Sequence, residues 1–271
     1  MRCLSTKLDS RKRYRKRIFI ICFGASVAGA LCGIGGGVII KPLVDALGIM
    51  DVTTISFLSG CTVLSMSTYS VVKSKLAGTG DLKTKPGLPL AMGAALGGIL
   101  GKWVFSLIQS VSENPSQVRT IQAACLLAVT TGTLLYTIYK EKITTHHIES
   151  ITFCVIIGGV LGIMSSFLGI GGGPINLVVF YFFFSMSTKA AAENSLYVIF
   201  FSQLAGLIQT LVVGKVPVFA LEILILMVIG GIAGGIFGRS INKRIEEHTV
   251  DKLFIVLMIV IIMINIHNIM S

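Results

Sequence analysis

Gly33-Ile34-Gly35-Gly36-Gly37 recurs letter for letter as Gly169-Ile170-Gly171-Gly172-Gly173, 136 residues further along the chain. Each copy interrupts a long apolar run. Glycine costs about 1 kcal/mol relative to alanine in a helix interior, so two breaks at matching positions imply a use for the break. In membrane proteins built from repeats, paired Gly- or Pro-interrupted segments point to a ligand site between the halves.

The apolar runs settle the class of fold. The chain has 271 residues, of which 54% are hydrophobic and 13% charged, with a mean hydropathy of +0.87. Soluble domains carry about 25% charged residues, and runs of 18 or more apolar residues read as membrane-spanning helices. The alternating pattern of a membrane β-barrel is absent. The expected fold is therefore an all-α integral membrane protein.

Charge is concentrated at the start. Residues 1–17 hold eight Lys/Arg against Asp9 alone, which is +7 of the formal +11. Placed directly before an apolar run, this stretch reads as a cytoplasmic tail obeying the positive-inside rule, not as a nucleic-acid interface. The apolar run that follows outlasts a signal-peptide core, so the segment is expected to be retained. Six cysteines form no Cys-x-x-Cys pair, and neither a disulfide framework nor a metal site is indicated. No cofactor is implied.

Eight hydrophobic segments follow one another: 18–47, 52–76, 86–108, 118–139, 151–184, 187–213, 217–239 and 251–269. The polar link 140–150 divides them into residues 18–139 and 151–271, each with four segments, and the glycine motif breaks segments 1 and 5. At the offset of the glycines, Ser59 falls on Ser195. Gly93, Gly97 and Gly101 in segment 3 match Gly230, Gly234 and Gly238 in segment 7, and Lys102 then falls on Arg239. Small residues at every fourth position let helices pack closely in lipid. These faces are also compatible with a homodimer.

Two copies of a small-residue helix leading to GIGGG, with Pro42 shortly after the first, and a polar helix bearing Ser59 or Asn194-Ser195, resemble the TauE/SafE sulfite-exporter family. The resemblance spans about residues 18–269. It implies a transporter of small sulfur-containing anions such as sulfite, sulfonates or thiosulfate, in an inner (plasma) membrane with the N-terminus in the cytoplasm. Another small organic anion as substrate, or a non-transport scaffold or assembly factor, are the alternatives. The second copy departs from the first: Pro174 directly follows the glycines, and Val178 stands where the offset places Pro42.

The chemistry of such a break suits an anion. A helix restarting after the glycines presents unpaired N–H groups and a positive dipole end, which binds anions without a buried cation. The expected binding residues are Gly35, Gly36, Gly37, Gly171, Gly172, Gly173, Ser59, Asn176, Asn194 and Ser195. Ser26, Thr62, Ser165 and Ser166 lie near by. Glu193 and Glu222, ionisable groups in or beside apolar segments, are the candidates for coupling transport to protons. No nucleophile–base pair or catalytic carboxylate pair is apparent, so the chain is read as a non-enzyme.

Two topologies compete. If segments 1 and 5 cross the membrane, 15 of the 23 Lys/Arg fall in the cytoplasm; if each turns back at its glycines, 12 do. The positive-inside rule thus favours crossing segments and a cytoplasmic 77–85 loop. The excess length of segment 5, 34 residues where about 20 suffice, favours hairpins.

Overall fold

The computed structural model describes the backbone of residues 2–48, 50–76, 87–112 and 115–270, with side chains from Arg15 onward except that of Pro115. The described residues form α-helices and one 3-10 turn, with no strand among them. In chain order the helices are α1 (Arg2–Cys32), α2 (Gly37–Ala46), α3 (Val52–Leu76), α4 (Gly87–Val111), α5 (Pro115–Tyr139), α6 (Ile151–Leu168), α7 (Pro174–Phe184), α8 (Thr188–Val212), α9 (Leu221–Asn242) and α10 (Glu247–Met270). Seven of them, α3, α4, α5, α6, α8, α9 and α10, are long and apolar enough to cross a membrane.

Local chemistry sets the boundaries. Asp51 accepts hydrogen bonds from the Thr54 backbone N–H (3.1 Å) and hydroxyl (2.8 Å) at the start of α3. Ser187 accepts from the Ala190 N–H ahead of α8. Such side chains satisfy N–H groups that a helix start leaves unpaired. Gly169 ends α6 in the left-handed region at φ 66°, where glycine carries no steric cost. Pro174 opens α7 at a position where its missing N–H is no loss.

The helices fall into two sets running in opposite directions. On one side, Gly230, Gly234 and Gly238 of α9 follow Phe19, Phe23 and Val27 of α1. Along α3, Thr62, Met66 and Ser70 meet Gly231, Gly235 and Arg239 of α9. So α1, α3 and α9 run in parallel. On the other side, Gly93, Gly97 and Gly101 of α4 meet Val155, Gly159 and Ile163 of α6, while Gly98 and Lys102 of α4 meet Ser202 and Gly206 of α8. A β-carbon on any of those three α4 glycines would stand 2.0–2.4 Å from an α6 carbonyl oxygen. The glycine stripes are therefore used inside the chain, where they bring helix backbones into contact.

These directions overturn the crossing arrangement favoured by the charge count. Were every segment to cross, the second and seventh would be antiparallel; α3 and α9 are parallel instead. The return of α7 is direct. His146 and Ile148, just ahead of α6, donate backbone hydrogen bonds to Phe182 and Phe183 at the end of α7 (2.8 and 3.0 Å). The Phe153 and Phe183 rings meet edge-on at 5.5 Å. The α6–α7 pair is thus a hairpin that turns at its glycines. The expected 77–85 loop lies outside the described residues.

Candidate functional site

The glycine breaks lie beside Val63, near the middle of α3, and Ile199, near the middle of α8. A β-carbon on Gly35 would touch both side chains, and so would one on Gly171. Gly33 packs on Ala192 and Gly169 on Ser56. Each of these last two partners lies on the opposite half of the chain, and Ser56 and Ala192 are themselves 136 residues apart.

The two breaks also touch one another. A β-carbon on Gly37 would stand 2.4 Å from the Ile170 carbonyl oxygen, and one on Gly173 would stand 2.5 Å from Val38 Cγ2. Thus α2 and α7 start side by side. Neither start has a side-chain cap. Each contributes a partial positive charge of about half a unit from its unpaired N–H groups, and the two point into the same buried region.

The ends facing these starts are held firmly. Gln122 of α5 donates to the Phe167 carbonyl (2.6 Å), and Lys41 of α2 donates to the Leu168 carbonyl (2.6 Å) and to Gln122 Oε1 (2.5 Å). Asn242 of α9 donates to the Leu31 carbonyl (2.5 Å). The last carbonyls of α6 and α1, unpaired by helix geometry, are satisfied by side chains. Lys41, only 4% exposed, also sets a cation against the negative end of α6.

Polar side chains surround the junction. Asn176, in the first turn of α7, donates from Nδ2 to Ser195 Oγ of α8 (3.2 Å), while its Oδ1 has no hydrogen-bond partner. Ser26 of α1 lies against Gly36, and its hydroxyl is likewise without a partner. Ser59 sits on the α3 face between Ser56 and Val63, fully buried and unpartnered. Buried polar atoms are nearly always hydrogen-bonded, so three without partners near one junction make it the candidate ligand site. Thr62 is spent on its own helix, donating to the Leu58 carbonyl.

Three expected site residues lie elsewhere. Asn194 donates to the Ala190 carbonyl (3.0 Å) and to Met186 Sδ (3.6 Å); one residue before Ser195, it points about 100° away around α8. Glu222 is exposed and pairs with Arg15 at 3.0 Å. Glu193 pairs with Arg239 at 3.2 Å, near the start of α8 and away from the junction. Gln203, Ser202 and Lys41 were not anticipated. Gln203 donates to Ser165 Oγ (3.0 Å), and Ser166 and Ser202 share a hydroxyl contact at 3.2 Å. The signal for Gln203 was its eight-residue spacing from Ser195 on one helix face; for Lys41 it was a lone charge just after the first break. Among the described residues no three His, Cys, Asp or Glu side chains gather as a metal site.

An all-helical bundle with seven membrane-length helices, two broken helices and a polar junction between the breaks is an integral membrane protein. The chain belongs to the sulfite exporter TauE/SafE family, which it matches over residues 18–264. It is 26% identical over 260 residues to the probable membrane transporter protein YunE of Bacillus subtilis (strain 168), covering 88% of this chain and 92% of that one. It is 27% identical over 251 residues to a probable membrane transporter protein of Haemophilus influenzae, with the same coverage. No solved structure gives a significant match. The protein is a membrane transporter.

Proposed function

We propose that the chain carries a small sulfur-containing anion, such as sulfite, a sulfonate or thiosulfate, outward across an inner (plasma) membrane. The observation that supports this reading is the meeting of two uncapped helix starts, Gly37 and Pro174, amid unpartnered serine and asparagine atoms. An anion there would receive backbone N–H groups and dipole ends without a buried counter-charge. The site comprises Gly35, Gly36, Gly37, Gly171, Gly172, Gly173, Ser26, Ser59, Asn176 and Ser195.

In this reading the chain is a duplicated unit, residues 18–139 and 151–271 joined by 140–150, with a basic tail at 1–17. The reciprocal packing of α1 on α9 and of α6 on α4 supports two copies in inverted orientation, as in many transporters with broken helices. Each broken segment is a hairpin from one face, and the basic N-terminus places the start of α1 in the cytoplasm. Glu222, paired at the surface, carries no coupling role; Glu193 is treated below.

The test is a thermal-shift and proteoliposome flux panel of sulfite, thiosulfate, alkyl sulfonates and carboxylates on the purified protein. Stabilisation and saturable flux with sulfur oxyanions support the reading. A response to carboxylates alone would move the substrate to another organic anion, and no flux of any anion would leave a scaffold.

A further inference from the structure

A cavity of about 250 Å³ lies between the start of α3, the end of α4 and the end of α8. Its lining includes Lys102 and Lys215 and no carboxylate. Lys102 forms no ion pair among the described residues, and its stem lies against Gly206. Ser56 also lines the cavity; it is 2% exposed and its hydroxyl has no partner. Ser56 also lies against Gly169, at the second glycine break, through its Cβ and Oγ. The cavity thus joins two lysines to the junction through an unpaired hydroxyl.

The equivalent place in the other half is filled. Arg239 corresponds to Lys102 and Ser70 to Gly206; Glu193 corresponds to Phe57, which lines the cavity. Arg239 donates to the Ser70 carbonyl (2.7 Å) and to Glu193 (3.2 Å), and Ser70 beneath it is 1% exposed. One half therefore presents a cation to an open cavity. The other presents a cation already holding a carboxylate.

We propose that the cavity at Lys102 is the access vestibule for a small oxyanion, and that on the opposite face the Glu193 carboxylate occupies the corresponding place on Arg239 and closes that side. The inference rests on the anion-transporter reading above. In the inverted arrangement the Lys102 and Arg239 vestibules face opposite sides of the membrane, so the structure is open at the end where α1 begins and closed at the other. Carriage of the anion through the junction requires Glu193 to leave Arg239, and the arriving anion takes over the contact it vacates.

Two near-isosteric probes on α3 test this in the full chain, reconstituted after its native cysteines are replaced: Ser56→Cys in the vestibule and Ser70→Cys behind the ion pair. Each is treated with a sulfonate-bearing and a trimethylammonium-bearing methanethiosulfonate of similar size. The Ser56→Cys thiol is expected to react at least about tenfold faster than the Ser70→Cys thiol and to prefer the sulfonate reagent, a preference that Lys102→Gln abolishes and Lys102→Arg retains. Adding Glu193→Gln to Ser70→Cys is expected to raise the labelling rate about tenfold, because the charged carboxylate that holds Arg239 over Ser70 is lost. Equal rates at the two positions, a preference for the cationic reagent in Ser56→Cys, or no acceleration of Ser70→Cys labelling by Glu193→Gln would overturn the proposal. Labelling needs no flux. Asymmetric labelling without sulfite flux would sink the substrate reading and leave the vestibule standing; sulfite flux with symmetric labelling would do the reverse.

Discussion

Gly37 lies against the carbonyl of Ile170, so close that a β-carbon on Gly37 would stand 2.4 Å from that oxygen. The contact joins residues on opposite copies of the repeated motif. It brings the start of α2 to the start of α7, and it leaves no room for any side chain at that point.

Gly37→Ala should therefore separate the two starts and lower transport at least about tenfold, since a backbone carbonyl cannot move aside as a flexible side chain can. Gly132→Ala is the control: Gly132 lies within α5, outside the positive-φ region, and nothing lies within 4 Å of its would-be β-carbon. It should insert and transport at rates near wild type. Comparable sulfite flux by both variants would dissociate the contact from function.

Asn176→Ala removes the amide that spans Gly172 and Ser195. The expected result is a loss of sulfite-induced thermal stabilisation, equivalent to about a tenfold weaker affinity, or ~1.4 kcal/mol. Asn194→Ala, which removes hydrogen bonds to Ala190 and Met186, should leave sulfite binding unchanged. A reversed order in a titration monitored by melting temperature would move the site outward.

Lys41→Met leaves the Leu168 carbonyl and Gln122 Oε1 without their donor. A buried acceptor left without its donor costs about 1–3 kcal/mol, so the variant should melt earlier even without ligand. Glu222→Gln breaks an exposed pair with Arg15, worth about 0–1 kcal/mol, and its melting temperature should not move. Matching shifts for the two variants would contradict this division.

Topology is tested at the linker. A cysteine replacing His147, in a cysteine-free background, should react with an impermeant thiol reagent on intact cells, because the hairpins place 140–150 on the face opposite the start of α1. A cysteine replacing Lys215, on the same face as that start, should react only after the cells are opened. Protection of position 147 would restore the crossing arrangement.

The places where α1 gives way to α2 and α6 to α7 were legible in the sequence because duplication is visible as an exact repeat, and because glycine in an apolar run has few uses. The position of Asn176 beside the second break was legible for the same reason, and Ser195 on the partner helix bonds to it. Asn194 bonds to Ala190 and Met186 and not at the junction, because sequence adjacency does not fix a helix face. Glu193 and Glu222 stand out by charge alone, and both are paired with arginines that lie more than 40 residues away along the chain. The direction of the hairpins was hidden because the charge rule counts loops, and the N-terminal cluster contributes equally to both topologies. The length of segment 5 carried the correct signal.

Flux of radiolabelled sulfite into proteoliposomes by Gly36→Leu and Gly172→Leu tests the central claim most directly. Gly36 abuts Ser26, and Gly172, at φ 101°, abuts Asn176, so a leucine at either position fills the junction between the helix starts. Wild type should show saturable flux, and both variants should show none while inserting at wild-type levels. Full flux by both variants would contradict an anion site at the joined breaks.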